Sequence, residues 1–176
     1  MQIMKIIFLD FDGVLNHEQF YVKRHEADFK GYGEHPICEF DFKSVLILNN
    51  IIEETDAKVV VSSTWRLGRS INELQSILDS VGFKGEVIDK TPNLRNEGDY
   101  VLRGNEILKW IRDNKEVIGQ DYHEFENYVI FDDDSDMLYW QKDNFLLVDR
   151  FVGLTMHVAF KAIRILNRGR GINVLQ

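Results

Sequence analysis

Asp10 and Asp12 stand two residues apart at the end of the apolar run Ile6-Ile7-Phe8-Leu9, with Gly13 directly behind them. In extended chain such a pair points the same way, roughly 7 Å apart at about 3.3 Å of rise per residue. Two anions at the mouth of a buried strand are costly, and a cation or a reaction must offset that cost. Gly13 lets the chain turn sharply after them. A second acidic cluster, Asp132-Asp133-Asp134-Ser135-Asp136, follows the apolar run Tyr128-Val129-Ile130-Phe131. A third run, Val59-Val60-Val61, empties into Ser62-Ser63-Thr64-Trp65-Arg66. An acidic loop that caps a helix needs only one acid; two clusters favour a site that handles charge. Oxygen ligands with no adjacent cysteine or paired histidine favour a hard cation, and Mg²⁺ is the expected one.

The elements that must position these residues alternate. The three apolar runs read as strands buried on both faces, as in a parallel sheet. Shorter strands are expected near Glu86–Asp89 and Asn144–Val148. Asp41 caps a helix carrying Val45, Leu48 and Ile52 on one face. Ser70 with Glu73 forms a capping-box pattern ahead of Leu74, Ile77 and Leu78. A helix opens at Arg103-Gly104-Asn105-Glu106 with Ile107, Trp110 and Ile111 inside it, and Thr155 starts the last, with Val158, Ala162 and Leu166 buried. Residues 16–40 read as an irregular, polar insertion with Phe20, Tyr21, Phe29 and Tyr32 among charges. The fold class is therefore α/β: a three-layer, doubly wound parallel sheet with right-handed crossovers and a small insertion after the first strand. In such sheets ligands sit beyond the carboxyl ends of the strands, where all three polar clusters fall.

Composition narrows the function. A chain of 176 residues fits one domain, 1–176, and no internal repeat or linker divides it. A net charge of −8 argues against a general nucleic-acid-coating role. The single cysteine, Cys38, rules out an internal disulfide framework and suits a reducing cytosol, so a cytoplasmic location is expected. No signal-peptide pattern opens the chain and no apolar run approaches membrane-spanning length, so no membrane partner is expected.

Asp10-Phe11-Asp12-Gly13-Val14 resembles the first motif of the haloacid dehalogenase (HAD) superfamily of phosphohydrolases. Val59-Val60-Val61-Ser62 resembles its second motif and Phe131-Asp132-Asp133 its fourth. Ser62-Ser63-Thr64-Trp65-Arg66, Arg103-Gly104-Asn105-Glu106-Ile107, Asp132 through Met137, and Gly153-Leu154-Thr155 resemble a group of small phage and bacterial HAD proteins, some associated with nucleic-acid repair. The resemblance implies a Rossmann-like HAD core with a short flap or cap at about 16–40. It also implies a Mg²⁺-dependent phosphomonoester phosphatase working through an aspartyl phosphate. Asp10 would be the nucleophile and Asp12 the general acid and base. Asp10, the Asp12 carbonyl, Asp132 and Asp133 would hold the metal, with Asp136 behind them. Ser62, with Ser63 as the alternative, would bind a phosphoryl oxygen. The family's third-motif cation would be Arg103, with Lys90 as the alternative.

Other residues have bland readings beside the functional ones. Trp65 reads as packing, with substrate contact the lesser reading. Arg66 binds substrate phosphate or closes a rim salt bridge, and Asn16 ties down the loop after the nucleophile or simply forms a turn. Asp134 reads as exposed or as an N-cap. His17, His25 and His35 match no zinc spacing. Lys161, Arg164, Arg168 and Arg170 read as a solvated helix face. The insertion leaves no room for a large cap, so an open site is expected, and a substrate that supplies its own cover: a nucleotide or a polynucleotide-end phosphate. Phe20, Tyr21, Lys23 and Arg24 would stack on its bases or, more simply, anchor a flap. The competing readings are a non-catalytic phosphoacceptor and Mg²⁺-binding module like a receiver domain, or a phosphotransferase to an acceptor other than water. In a receiver the phosphoacceptor lies at a later strand end, without a partner acid two residues on.

Overall fold

The computed structural model describes residues 4–29, 39–95, 99–119 and 125–168, without the side chains of 26–29. Tyr32, His35, Cys38, Arg170 and the Phe29 side chain lie outside the described residues. Five strands, β1 (Ile6–Leu9), β2 (Lys58–Val61), β3 (Val87–Lys90), β4 (Tyr128–Asp132) and β5 (Phe145–Leu147), form one sheet in the order β3-β2-β1-β4-β5. Every pairing is parallel.

The continuous apolar runs follow from burial on both faces. Ile7, Leu9, Val59, Val61, Val129 and Phe131 point to one side. There they meet Val45, Leu48 and Ile51 of α2 (Phe42–Thr55), Leu74 and Leu78 of α3 (Ile71–Asp79), and Ala159, Ala162 and Leu166 of α6 (Met156–Leu166). Ile6, Phe8, Val60 and Ile130 point to the other, against Ile107, Trp110 and Ile111 of α4 (Arg103–Asp113) and Ile118 of α5 (Lys115–Ile118). Side chains alternate across a strand with period two, so one apolar run feeds two cores. The result is the three-layer doubly wound sheet that the alternation of elements predicts.

Local signals start the helices where the residues predict. The Asp41 carboxylate accepts the Lys43 N–H, Ser70 and Glu73 form a reciprocal capping box, and the Thr155 hydroxyl accepts the Val158 N–H. Lys161, Arg164 and Arg168 are exposed. No described helix is long and apolar enough to cross a membrane.

The insertion departs from expectation. Glu18–Phe29 is a helix, α1, where the sequence reads as irregular. Its described residues show no buried stripe: Tyr21, Val22 and Lys23 are all exposed. Its start is held by backbone, with Glu18 N–H and Gln19 N–H donating to the carbonyls of Arg150 and Phe151. His17, just ahead of it, is buried with Nε2 2.9 Å from Asp41.

Candidate active site at the carboxyl ends of β1 and β4

Strand order decides where the acids meet. From β1 the chain winds outward to β2 and β3, then returns to β4 on the other side of β1. β1 and β4 therefore flank the point where connections diverge, the crevice where such sheets bind ligands. The register Leu9↔Phe131 sets Asp10 beside Asp132, and Asp10 N–H donates to the Phe131 carbonyl at 3.0 Å. Carboxylate oxygens of Asp10, Asp132 and Asp133 all lie within 4.8 Å of one another, a grouping able to hold a metal ion.

Their environment raises the cost of charge. Burial pushes the Asp10 carboxyl up to about 6, against the Ser63 hydroxyl, the Phe11 N–H and the Arg103 charge. Burial and then the Asp10 charge push Asp132 up to about 8. Asp133 accepts two hydrogen bonds from the Arg150 guanidinium, at 3.1 and 2.8 Å. Gly13 is part of this packing: its φ is +73°, and a Cβ there would overlap the Asp133 carboxyl.

Asp12 does not join the cluster with its side chain. Its carboxylate is exposed and accepts the Trp65 indole N–H at 3.1 and 3.0 Å and the Asn16 amide N–H at 2.8 Å. Asn16 in turn accepts the Gly13 N–H, which ties the loop after β1. The Trp65 contact with Asp12 has no signature in the sequence. It depends on how the 3₁₀ turn Thr64–Arg66 lies against β1, which no local pattern encodes.

The serines divide the work at the end of β2. The Ser63 hydroxyl accepts the Trp65 backbone N–H and favours the ionised form of the Asp10 carboxyl. The Ser62 hydroxyl is fully buried and has no hydrogen-bond partner among the described residues. A buried hydroxyl without a partner is costly, and a phosphoryl oxygen is the kind of acceptor that would satisfy it.

Arg103 opens α4, and among the described residues its guanidinium is hydrogen-bonded through Nη1 alone, to Glu106 at 2.7 Å; its charge acts on both Asp10 and Asp132. Lys90 instead donates to the carbonyls of Arg66 and Arg69. Arg66 is buried, not on the rim: it donates to Thr91, Ser63 and Pro92 carbonyls and pairs with Glu106 at 2.6 Å. Asp136 accepts the Arg103 N–H at 2.9 Å, capping α4, and Asp134 is exposed. Gly104 lets that helix start approach the loop after β4, since a Cβ would strike Leu138 and Gln141. Glu106 joins the site through Arg103 and Arg66, and its i, i+3 spacing from Arg103 is the signal of that pairing in the sequence.

Compared with known families, residues 6–159 match the model of one described as the HAD domain in Swiss Army Knife RNA repair proteins. No curated protein and no solved structure matches the chain.

Proposed function

The chain belongs to the family of HAD domains in Swiss Army Knife RNA repair proteins, and on that footing we propose a Mg²⁺-dependent phosphomonoester phosphatase acting on the phosphorylated end of a nucleic acid or on a nucleotide. Membership implies phosphohydrolase-type chemistry. The observation that carries the finer reading is the convergence of Asp10, Asp132 and Asp133 at the switch point, beside the charge of Arg103.

The donor set fits a hard cation, because it is all carboxylate and because added positive charge relieves the burial that disfavours ionisation of Asp10 and Asp132. Asp10, Asp132, Asp133 and the Asp12 carbonyl would hold the ion. Bound there, it supplies charge that screens an anionic nucleophile from an anionic phosphate. An Asp10 oxygen attacks phosphorus as the bond to the leaving oxygen breaks, giving an aspartyl phosphate. Asp12 protonates that leaving oxygen, then takes a proton from the water that cleaves the acyl phosphate. Ser62 donates to a phosphoryl oxygen, and the unpaired part of the Arg103 fork binds others. Ser63 holds Asp10 in line.

Among the described residues one helix, α1, lies between β1 and α2; its exposed Tyr21 feels the Asp12 charge, and the Tyr100 hydroxyl donates to Asp136. Such aromatics offer stacking surfaces to bases of a strand end. A panel of nucleotides, 3′- and 5′-phosphorylated oligonucleotides and phosphopeptides, with and without Mg²⁺, tests the proposal. Turnover of oligonucleotide ends that needs Mg²⁺ and is abolished by Asp10→Asn is expected. Full activity in Asp10→Asn removes the nucleophile assignment, and a preference for phosphopeptides removes the substrate class.

A further inference from the structure

The 3₁₀ turn after β2 lies beside the Asp-x-Asp pair. Ser63, which precedes it, favours the ionised form of Asp10, while Trp65 donates its indole N–H across both oxygens of Asp12. Asp12 is exposed, so an unrestrained carboxylate there would sample several rotamers. The indole that holds it is itself fixed from several sides. Its ring meets Phe11 edge-on at 5.8 Å and Phe40 tilted at 5.2 Å, and Phe11 is the residue between the two acids. The Arg69 guanidinium lies over the ring at 5.4 Å, and Arg69 Nη1 donates to the Trp65 carbonyl at 2.9 Å. With Arg69 over one face and the phenyl rings against it elsewhere, the indole is occupied as a wedge and its N–H is the part aimed at the acid pair.

We propose that Trp65 is a positioning residue for Asp12: its indole N–H fixes where the acid presents its proton to the leaving oxygen, and Asn16 provides the second fixed point. This rests on the phosphatase reading above. A general acid works only within hydrogen-bond reach of the atom it protonates, and misplacement costs most when the leaving group is poor. A good leaving group departs without the proton and is indifferent to where Asp12 stands. Trp65 therefore acts on the ester class the protein can turn over, whereas a residue that only packs would affect all esters alike.

Trp65→Phe keeps an aromatic ring against Phe11, Phe40 and Arg69 and removes the N–H. With Mg²⁺, kcat for an alkyl phosphate such as a nucleoside 3′-phosphate is expected to fall about tenfold more than kcat for an activated aryl phosphate. Equal losses on both esters, or no loss on either, overturn the proposal. A second measurement needs no turnover. The chain has three tryptophans, so Trp65→Phe identifies the Trp65 indole ¹⁵N–¹H signal by its disappearance. Asp12→Ala is expected to move that signal, and a signal that stays put overturns the contact. A wild-type protein that turns over neither ester sinks the phosphatase reading, while the indole signal still judges the hold of Trp65 on Asp12.

Discussion

Two cations compete for the role of phosphate partner, and their hydrogen bonds separate them. Lys90 directs its ammonium to the carbonyls of Arg66 and Arg69, on the turn after β2. Arg103 gives Glu106 one N–H, the rest of its fork has no partner among the described residues, and its charge is felt by Asp10 and Asp132. Arg103→Ala is accordingly expected to weaken inhibition by inorganic phosphate by about tenfold or more, at the 1.5–3 kcal/mol typical of bonds to charged groups. Lys90→Ala should change it by about twofold or less, and the opposite order would transfer the role to Lys90. The acids at strand ends were legible because an apolar run broken by carboxylates has few structural uses. Trp65 was not, because its partner Asp12 lies on another strand's loop and an indole in sequence looks the same whether its N–H is used or idle.

At the scale of elements, Glu106 joins three pieces of chain. One of its oxygens accepts from Arg66 of the 3₁₀ turn and from Arg103 of α4, and the other accepts the Leu94 N–H of the loop after β3. Burial and the neighbouring Arg103 lower Arg66 to about 10, so it stays charged at neutral pH and needs its partner. Removing that acid leaves the buried Arg66 guanidinium without a carboxylate partner among the described residues, at about 3–5 kcal/mol. Glu106→Ala should thus lower the melting temperature by roughly 10 °C. Lys109→Ala, which breaks an exposed pair with Asp113 on the same helix, should shift it by about 2 °C at most. Thermal unfolding of the two variants side by side checks the contrast. The same logic explains what sequence hid: the buried strands announce themselves as unbroken apolar runs, but Arg66 looks like a surface residue until Glu106 is brought to it. Helix α1 was hidden for the opposite reason, since its exposed residues carry no apolar stripe to read.

For the whole molecule, the acid cluster ties stability to pH and to metal. The Asp10 and Asp132 carboxyls titrate at about 6 and about 8 in the fold, against an ordinary 3.8. The folded chain therefore holds these protons more tightly than the unfolded one, and their contribution to stability is lost as pH rises through that range. In chelator, the melting temperature is expected to fall between pH 5 and 8.5 by on the order of 5 °C. Mg²⁺ should restore most of it at the alkaline end, and Asp132→Asn should flatten the slope without metal. A metal-free curve that rises over this interval would contradict the electrostatics. The sheet order has one more result. Asp10 and its partners on β4 are separated by over a hundred residues, and only the pairing of β1 with β4 unites them. Pairing strands so distant in sequence requires the entropy of a long loop closure, which slows folding. The acid cluster that could hold a divalent ion is thus expected to form only once β4 docks beside β1, and the onset of Mg²⁺ binding in a refolding experiment would time that pairing.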